Sequence, residues 1–522
     1  MSLRNVVEPL EQESVVNGPA TPEQASPSYA PRAENYLRLR ADEELGEATS
    51  HAQVQATAED RATTAKGCMA RVAGLAGALA AVGAAPESVA VSVLGELGAA
   101  LVQRGLLPAS ELDTEPVAPG ALFEPVSVRA VPVGVTAVCA VDGFGFPVRV
   151  RFGALVADGR LARITWRAAY TDPALTGSEA RFQGPEPWSA LRSLTAADDV
   201  GGEYHGMGYA YRGRFREGGQ FGWDGWTRLD PAPPAEARWL DLSLVGNPPA
   251  RIPLEHPREH AVTVAALDPA GAADRYLDAR SLALFAGAPE RPPGIVAMAG
   301  ELLAAGVLQL GSPSLARLAA VAGRQGLAMP GPLATVLPSR LPADWAGLLD
   351  RIGTEKGASG LVFAAAVLPE VEGARCVITE LASRPDISTL QVYAPAWPHS
   401  WYHGMPQNDD RYHWDVRDDL GRRYATSAYR GLGQAREAEF PLRLHPPVSP
   451  LARELEITLS GRTSQASVRV PLDWQNDDWE SELPDWQVET PSHTVSHDKA
   501  IGRGQQRIGR TGDTPETAGS GS

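Results

Sequence analysis

The strongest constraint in the sequence is a short pattern that occurs twice in one register. Asp198-Asp199-Val200-Gly201 is followed by Tyr204, and Asp418-Asp419-Leu420-Gly421 is followed by Tyr424, 220 positions later. Tyr209 and Tyr429 keep the same spacing. Glycine supplies a positive-φ turn position, and the Asp side chains accept nearby backbone N–H groups. The tyrosine then opens a strand with its ring packed and its hydroxyl wet. Two such turns predict two copies of one β unit. Arg238-Trp239-Leu240-Asp241-Leu242 also resembles Arg453-Glu454-Leu455-Glu456-Ile457, and each is followed by a Pro-Leu pair, Pro253-Leu254 and Pro471-Leu472. Upstream, Gly95-Glu96-Leu97 with Ala99-Ala100 matches Gly300-Glu301-Leu302 with Ala304-Ala305, and Pro108 matches Pro313 at the same spacing of 205.

The texture along the chain alternates in step with these matches. Residues 1–60 are polar and aperiodic and read as disordered, apart from a short helix around Glu34 to Glu47. Residues 62–113 read as helical, and Glu87 to Arg104 places Val89, Val93, Leu97 and Leu101 four apart with Gly105 as a C-terminal cap. Residues 123–254 carry short alternating runs such as VRVRF and ARITW, with Asp158-Gly159 as a hairpin signal. Residues 270–350 turn helical again, and 360–473 return to β texture. Residues 474–522 form an acidic aromatic extension and a disordered tail. The fold class is therefore α+β: two duplicated units, each a small helical segment followed by an antiparallel β-sandwich, with disordered termini.

The Asp-Asp-x-Gly-x-x-Tyr turn resembles the D-x-G-x-x-Y turn of tandem immunoglobulin-like bacterial β-sandwich domains of actinobacterial type. The resemblance covers about 130 residues twice. It implies a sandwich fold and supplies no catalytic residues.

Composition narrows the function classes. Hydrophobic residues at 43% and charged residues at 21% allow sizeable cores. A net charge of -16 repels phosphate backbones, so nucleic acid is not an expected partner. Cys68, Cys139 and Cys376 form no CxxC pair and read as buried thiols. No basic and apolar leader and no 20-residue apolar span is present, so a cytoplasmic chain without a membrane partner is expected.

Motifs of known chemistry do not hold up in their contexts. His256-Pro257-Arg258-Glu259-His260 fits H-x-x-E-H, which binds zinc only on a helix, yet Pro257 and the following AVTV favour a linker into a strand. Asp142 to Pro147 reads as a β-turn, because no helix can follow it. No catalytic residue, metal ligand or cofactor is assigned.

The unusual segments are aromatic. Between Pro395 and Asp419, Trp397, Trp401, Tyr402, Tyr412 and Trp414 interleave with His399, His403 and His413, and Asp409, Asp410 and Asp415 stand nearby. The histidine spacings of four and ten follow no standard metal scheme, and no EF-hand spacing occurs. The run reads as a loop packed on its own sandwich, as a surface for a partner or small ligand, or as a metal site. Trp474, Trp479 and Trp486 sit among Asp473, Asp477, Asp478, Glu480, Glu482 and Asp485, a pattern suited to docking on a basic, grooved partner or to folding back. The expected function is a non-catalytic scaffold that meets a protein partner through Trp397, Trp401, Tyr402, His403, Tyr412, Trp414, Trp479 and Trp486. An enzyme or sensor binding a ligand or metal at 395–419, and a structural subunit of an assembly, are the alternatives.

Overall fold

The computed structural model describes residues 30–55, 57–109, 128–140, 147–158, 162–171, 191, 194–215, 220–244, 246–255, 259–285, 292–396, 412–428 and 438–474. Of these, the residues up to Pro132, 154–158 and 259–474 form one compact unit, and 133–153 with 162–255 form a second. The element order is helical, β, helical, β.

The first helical segment contains α1 (Ala30–Ala52), α2 (Ala58–Ala81) and α3 (Glu87–Gln103). The second contains α4 (Ala272–Phe285), α5 (Pro292–Ala304), α6 (Pro313–Arg324) and α7 (Ala343–Arg351). The helical signals act as expected at α3: Val93, Leu97 and Leu101 are buried, and Gly105 follows in the left-handed region at φ 66. Its counterpart α5 is also followed by a left-handed glycine, Gly306 at φ 75. At α2, Thr57 caps the helix by accepting the Asp60 amide at 3.0 Å.

Helix α1 corrects the reading of residues 1–60 as disordered. It runs well beyond the short helix expected at Glu34 to Glu47 because Ala33, Leu37, Ala41, Leu45 and Ala48 form one buried stripe. The stripe is mostly alanine, so it carries little hydrophobic signal in a polar sequence, but it fits closely against neighbouring helices. Residues 1–29 and 475–522, also read as disordered, lie outside the described residues.

The two helical segments share one core, in which Leu37, Leu79, Leu94 and Leu101 join Leu277, Leu302, Leu318 and Leu348. Helix α1 also joins the matched glutamates: Arg38 bonds Glu96 of α3 at 2.7 Å, and Tyr36 bonds Glu301 of α5 at 2.6 Å. Beneath them, Glu44 is buried and receives Arg71 from α2 at 2.5–2.9 Å.

Eighteen strands among the described residues form two antiparallel sheets. The first nine are β1 (Arg129–Pro132), β2 (Thr136–Ala140), β3 (Pro147–Ala157), β4 (Ala162–Thr171), β5 (Thr195–Asp198), β6 (Glu203–Phe215), β7 (Gln220–Asp230), β8 (Trp239–Ser243) and β9 (Ala250–Pro253). The others are β10 (Val262–Ala266), β11 (Gly360–Val367), β12 (Arg375–Arg384), β13 (Ile387–Ala396), β14 (His413–Asp418), β15 (Arg423–Ala428), β16 (Ala438–His445), β17 (Glu454–Ser460) and β18 (Ser464–Pro471).

The two sheets follow one connectivity. The first runs β3-β4-β7-β6-β5-β8-β9, and the second runs β12-β13-β16-β15-β14-β17-β18. Beside β12 lies β11, whose register shifts between Phe363 and Ala366 where Ala365 has φ 46. Beside β3 the same position is taken by β1 and β2, separated by a break that contains Gly134 at φ 63. One strand is bulged in the second sheet and split in the first. The second sheet also gains β10 against β18.

In the second sheet β14 and β15 pair over only two residues, and there the sheet turns over. Val416, Leu455, Ile457 and Val468 from one half meet Ile378, Leu390, Val392 and Leu442 from the other in one core. Trp474 packs on this core just after β18. In the first sheet Val148, Val150, Phe152, Ile164, Trp166, Tyr204 and Leu240 are buried.

Candidate functional site

The repeated acidic turn joins β5 to β6 and β14 to β15, and its hydrogen bonds are the same in both copies. Asp198 Oδ1 accepts the amides of Val200 at 3.0 Å and Gly202 at 2.6 Å, and Oδ2 accepts the Tyr204 hydroxyl. Asp418 Oδ1 accepts the amides of Leu420 at 3.0 Å and Arg422 at 2.8 Å, and Oδ2 accepts the Tyr424 hydroxyl at 2.7 Å. Gly201 and Gly421 take φ 95 and φ 75. The second Asp clamps the next strand: Asp199 accepts the Arg238 amide at 2.8 Å, and Asp419 accepts the Arg453 amide at 2.9 Å. That amide holds the Asp419 carboxyl below its ordinary range, against a smaller opposing effect of burial.

These four aspartates are turn and clamp residues. One detail differs from expectation: the tyrosine hydroxyls are not wet. Tyr204 and Tyr424 are each 1% exposed, and each hydroxyl reaches back to the carboxylate six residues upstream. Burial and then the Asp418 carboxylate raise the Tyr424 pKa.

Of the residues expected to form a docking surface, Trp397, Trp401, Tyr402, His403, Trp479 and Trp486 lie outside the described residues. Tyr412 and Trp414 are described, and the structure takes Tyr412 off the surface. It is 6% exposed, and its hydroxyl donates to the Glu372 carbonyl at 2.9 Å. Trp414 is half-buried and packs on the sheet core, while its carbonyl accepts the Thr426 hydroxyl at 3.1 Å. The reason is strand register. β14 lies between β15 and β17, so Tyr412, Trp414, Val416 and Asp418 alternate onto the core side.

The alternate residues of β14 meet the helical layer. The His413 ring lies 5.7 Å from Tyr276 of α4, edge to face. Burial, and after it the charges of Arg280 and Arg275, push its pKa down to about 3, so the imidazole is neutral at neutral pH. Asp415 receives Arg423 at 2.6 Å and Arg417 at 3.1 Å, and Arg423 also reaches Asp344 of α7 at 3.2 Å.

The remaining chemical groups are placed as follows. In the H-x-x-E-H segment, Glu259 and His260 are irregular and lead directly into β10 rather than forming a helix. The His260 ring nitrogens stand 3.1 Å and 3.0 Å from the carbonyls of Arg469 and Ala364. Cys68 and Cys376 are buried, and burial pushes the Cys68 thiol up to about 11, which leaves it protonated and unreactive at neutral pH. The side chain of Cys139 and the turn at 141–146 lie outside the described residues. No group of three metal-binding side chains and no helix long and apolar enough to cross a membrane occurs among the described residues.

The sequence reading missed an open cleft of about 580 Å³ between α1 and α5, lined by Arg32, Tyr36, Glu301, Leu310 and Leu333. Its polar wall is the Tyr36–Glu301 pair, with Arg40 3.3 Å from the same carboxylate. The cleft was hidden because α1 supplies Arg32 and Tyr36 to its wall.

No family model and no curated protein matches the chain. A solved structure described as the conserved domain protein from Bacillus anthracis aligns at 10% identity over 63% of this chain and 77% of its own, with a TM-score of 0.16. A superposition of that quality establishes no common fold.

Proposed function

We propose that the chain is a non-catalytic interaction scaffold whose second β unit presents residues 397–411 to a protein partner. One observation carries this reading: both ends of that segment are pinned in a packed core. β13 leads into it with Tyr393 3% exposed, and the chain returns at Tyr412 and His413, which are fixed by Glu372 and Tyr276. Recognition residues are commonly carried on loops held by a rigid scaffold. The first sheet has a connection at the same topological place, between β4 and β5, but its stretch GPEPWSALRSLTAA carries one tryptophan and no histidine. The framework is shared, and the difference lies in the connection.

Trp401→Ala is expected to weaken partner retention by about 2 kcal/mol or more, as for a central aromatic anchor. Its melting temperature should stay close to that of the wild type. Co-purification from the native host together with thermal melts checks both. If Trp401 is core instead, the change costs roughly 3–5 kcal/mol of stability and leaves binding intact, which would end this reading.

A further inference from the structure

The second sheet ends on a strand whose amino acids its own core does not account for. Strand β10 has no equivalent in the first sheet, where β9 holds the place of β18. It is β-branched at Val262, Thr263 and Val264, a composition that suits a packed strand. Yet Val262 and Val264 are 51% and 61% exposed. Both stand on the core side of the sheet, opposite Val468 and Ala466, which are buried. The apolar face of β18 therefore continues onto β10 and is left bare there.

The backbone of β10 is also only half used. Arg469 donates to the Ala261 carbonyl at 3.0 Å, and Leu267 donates to the Thr463 carbonyl at 2.7 Å. These bonds turn the odd-numbered residues toward β18, so the amides and carbonyls of Val262, Val264 and Ala266 point outward. The sheet ends at β10, and no strand among the described residues takes them. The segment 261–267, AVTVAAL, carries no charge or proline that would blunt an edge. The opposite edge strand, β11, is buried from Gly360 to Ala366 and bulged.

We propose that β10 pairs with β10 of a second copy of this chain, antiparallel across a two-fold axis at Thr263. The sequence selects this partner: Ala261-Val262-Thr263-Val264-Ala265 reads identically in both directions. Centred on Thr263, the pairing sets Val262 opposite the partner's Val264, and Val264 opposite the partner's Val262. Four valines then adjoin on one face, and their outward amides and carbonyls meet in hydrogen-bonded pairs. A centre one residue later would set Val262 against the partner's Ala266 and break up that cluster. Main-chain pairing supplies the affinity, as in strand addition generally. The contact is short, so the dimer should form in a concentration-dependent way over the micromolar range. This inference is independent of the role of residues 397–411.

Sedimentation of the full chain across a micromolar concentration series should show a monomer–dimer equilibrium. Val264→Pro removes one outward amide per copy and leaves the bonds to β18 in place. It should weaken dimerisation at least about hundredfold with a nearly unchanged melting temperature. If that variant does not fold, Val264→Lys, which sets a charge on the edge, decides. Mild oxidation of Thr263→Cys should give a covalent dimer, because a residue on the axis faces its own copy at about 4.5 Å between Cα atoms. Ala265→Cys should not, because its two copies stand about 13 Å apart along the strands. A wild type that stays monomeric throughout the series would overturn the proposal and leave the edge to a strand of another protein. So would a dimer that neither Val264→Pro nor Val264→Lys weakens, or one that Ala265→Cys links as readily as Thr263→Cys.

Discussion

Asp418→Ala is expected to destabilise the chain by about 3–5 kcal/mol, as one buried hydroxyl and two partly buried amides lose their acceptor. The side chain is 6% exposed and accepts two amides and the Tyr424 hydroxyl. Each donor stranded in a buried corner costs about 1–3 kcal/mol, which is more than the net worth of a bond made. Asp419→Ala should cost far less, because that residue is exposed and water replaces the clamp. Urea denaturation of both variants at neutral pH separates them. A loss below about 1 kcal/mol in Asp418→Ala would mean that the corner does not hold the two sheet halves.

The second large effect is acid sensitivity through His413. Its folded pKa, about 3, lies below the ordinary histidine value, so the unfolded chain takes up the proton first as pH falls. The stability it contributes is complete above about pH 6.5 and is lost toward pH 3, at up to ~1.4 kcal/mol per pH unit. Burial also lowers the pKa of His445, which adds a slope of the same sign. His413→Phe should flatten the dependence of stability between pH 6.5 and 4.5. Denaturation midpoints across that range measure it. An unchanged slope in the variant would show that the ring is solvated and available to a ligand.

The repeat was the most readable part of the chain. The matched turns led to two sheets of one connectivity, and the matched glutamates Glu96 and Glu301 proved to flank α1. What escaped was burial that depends on partners distant in sequence. Helix α1 hides because alanine at positions 33, 41 and 48 contributes shape more than hydrophobicity. Tyr412 read as surface because aromatic density does not reveal strand register; only the pairing of β14 with β17 sets which side it takes. Arg163 and Arg167 alternate with apolar residues as a solvated strand face would, so nothing local shows that they are covered.

The central claim is that the repeated acidic motif is architecture in both copies. A calcium titration followed by thermal melting of the wild type and Asp418→Ala tests it most directly. Every inward oxygen of Asp418 is already occupied by a protein donor, so calcium should leave the wild-type melting temperature unchanged, with the variant melting lower at every calcium concentration. A melting temperature that rises with calcium in the wild type and not in Asp418→Ala would contradict it.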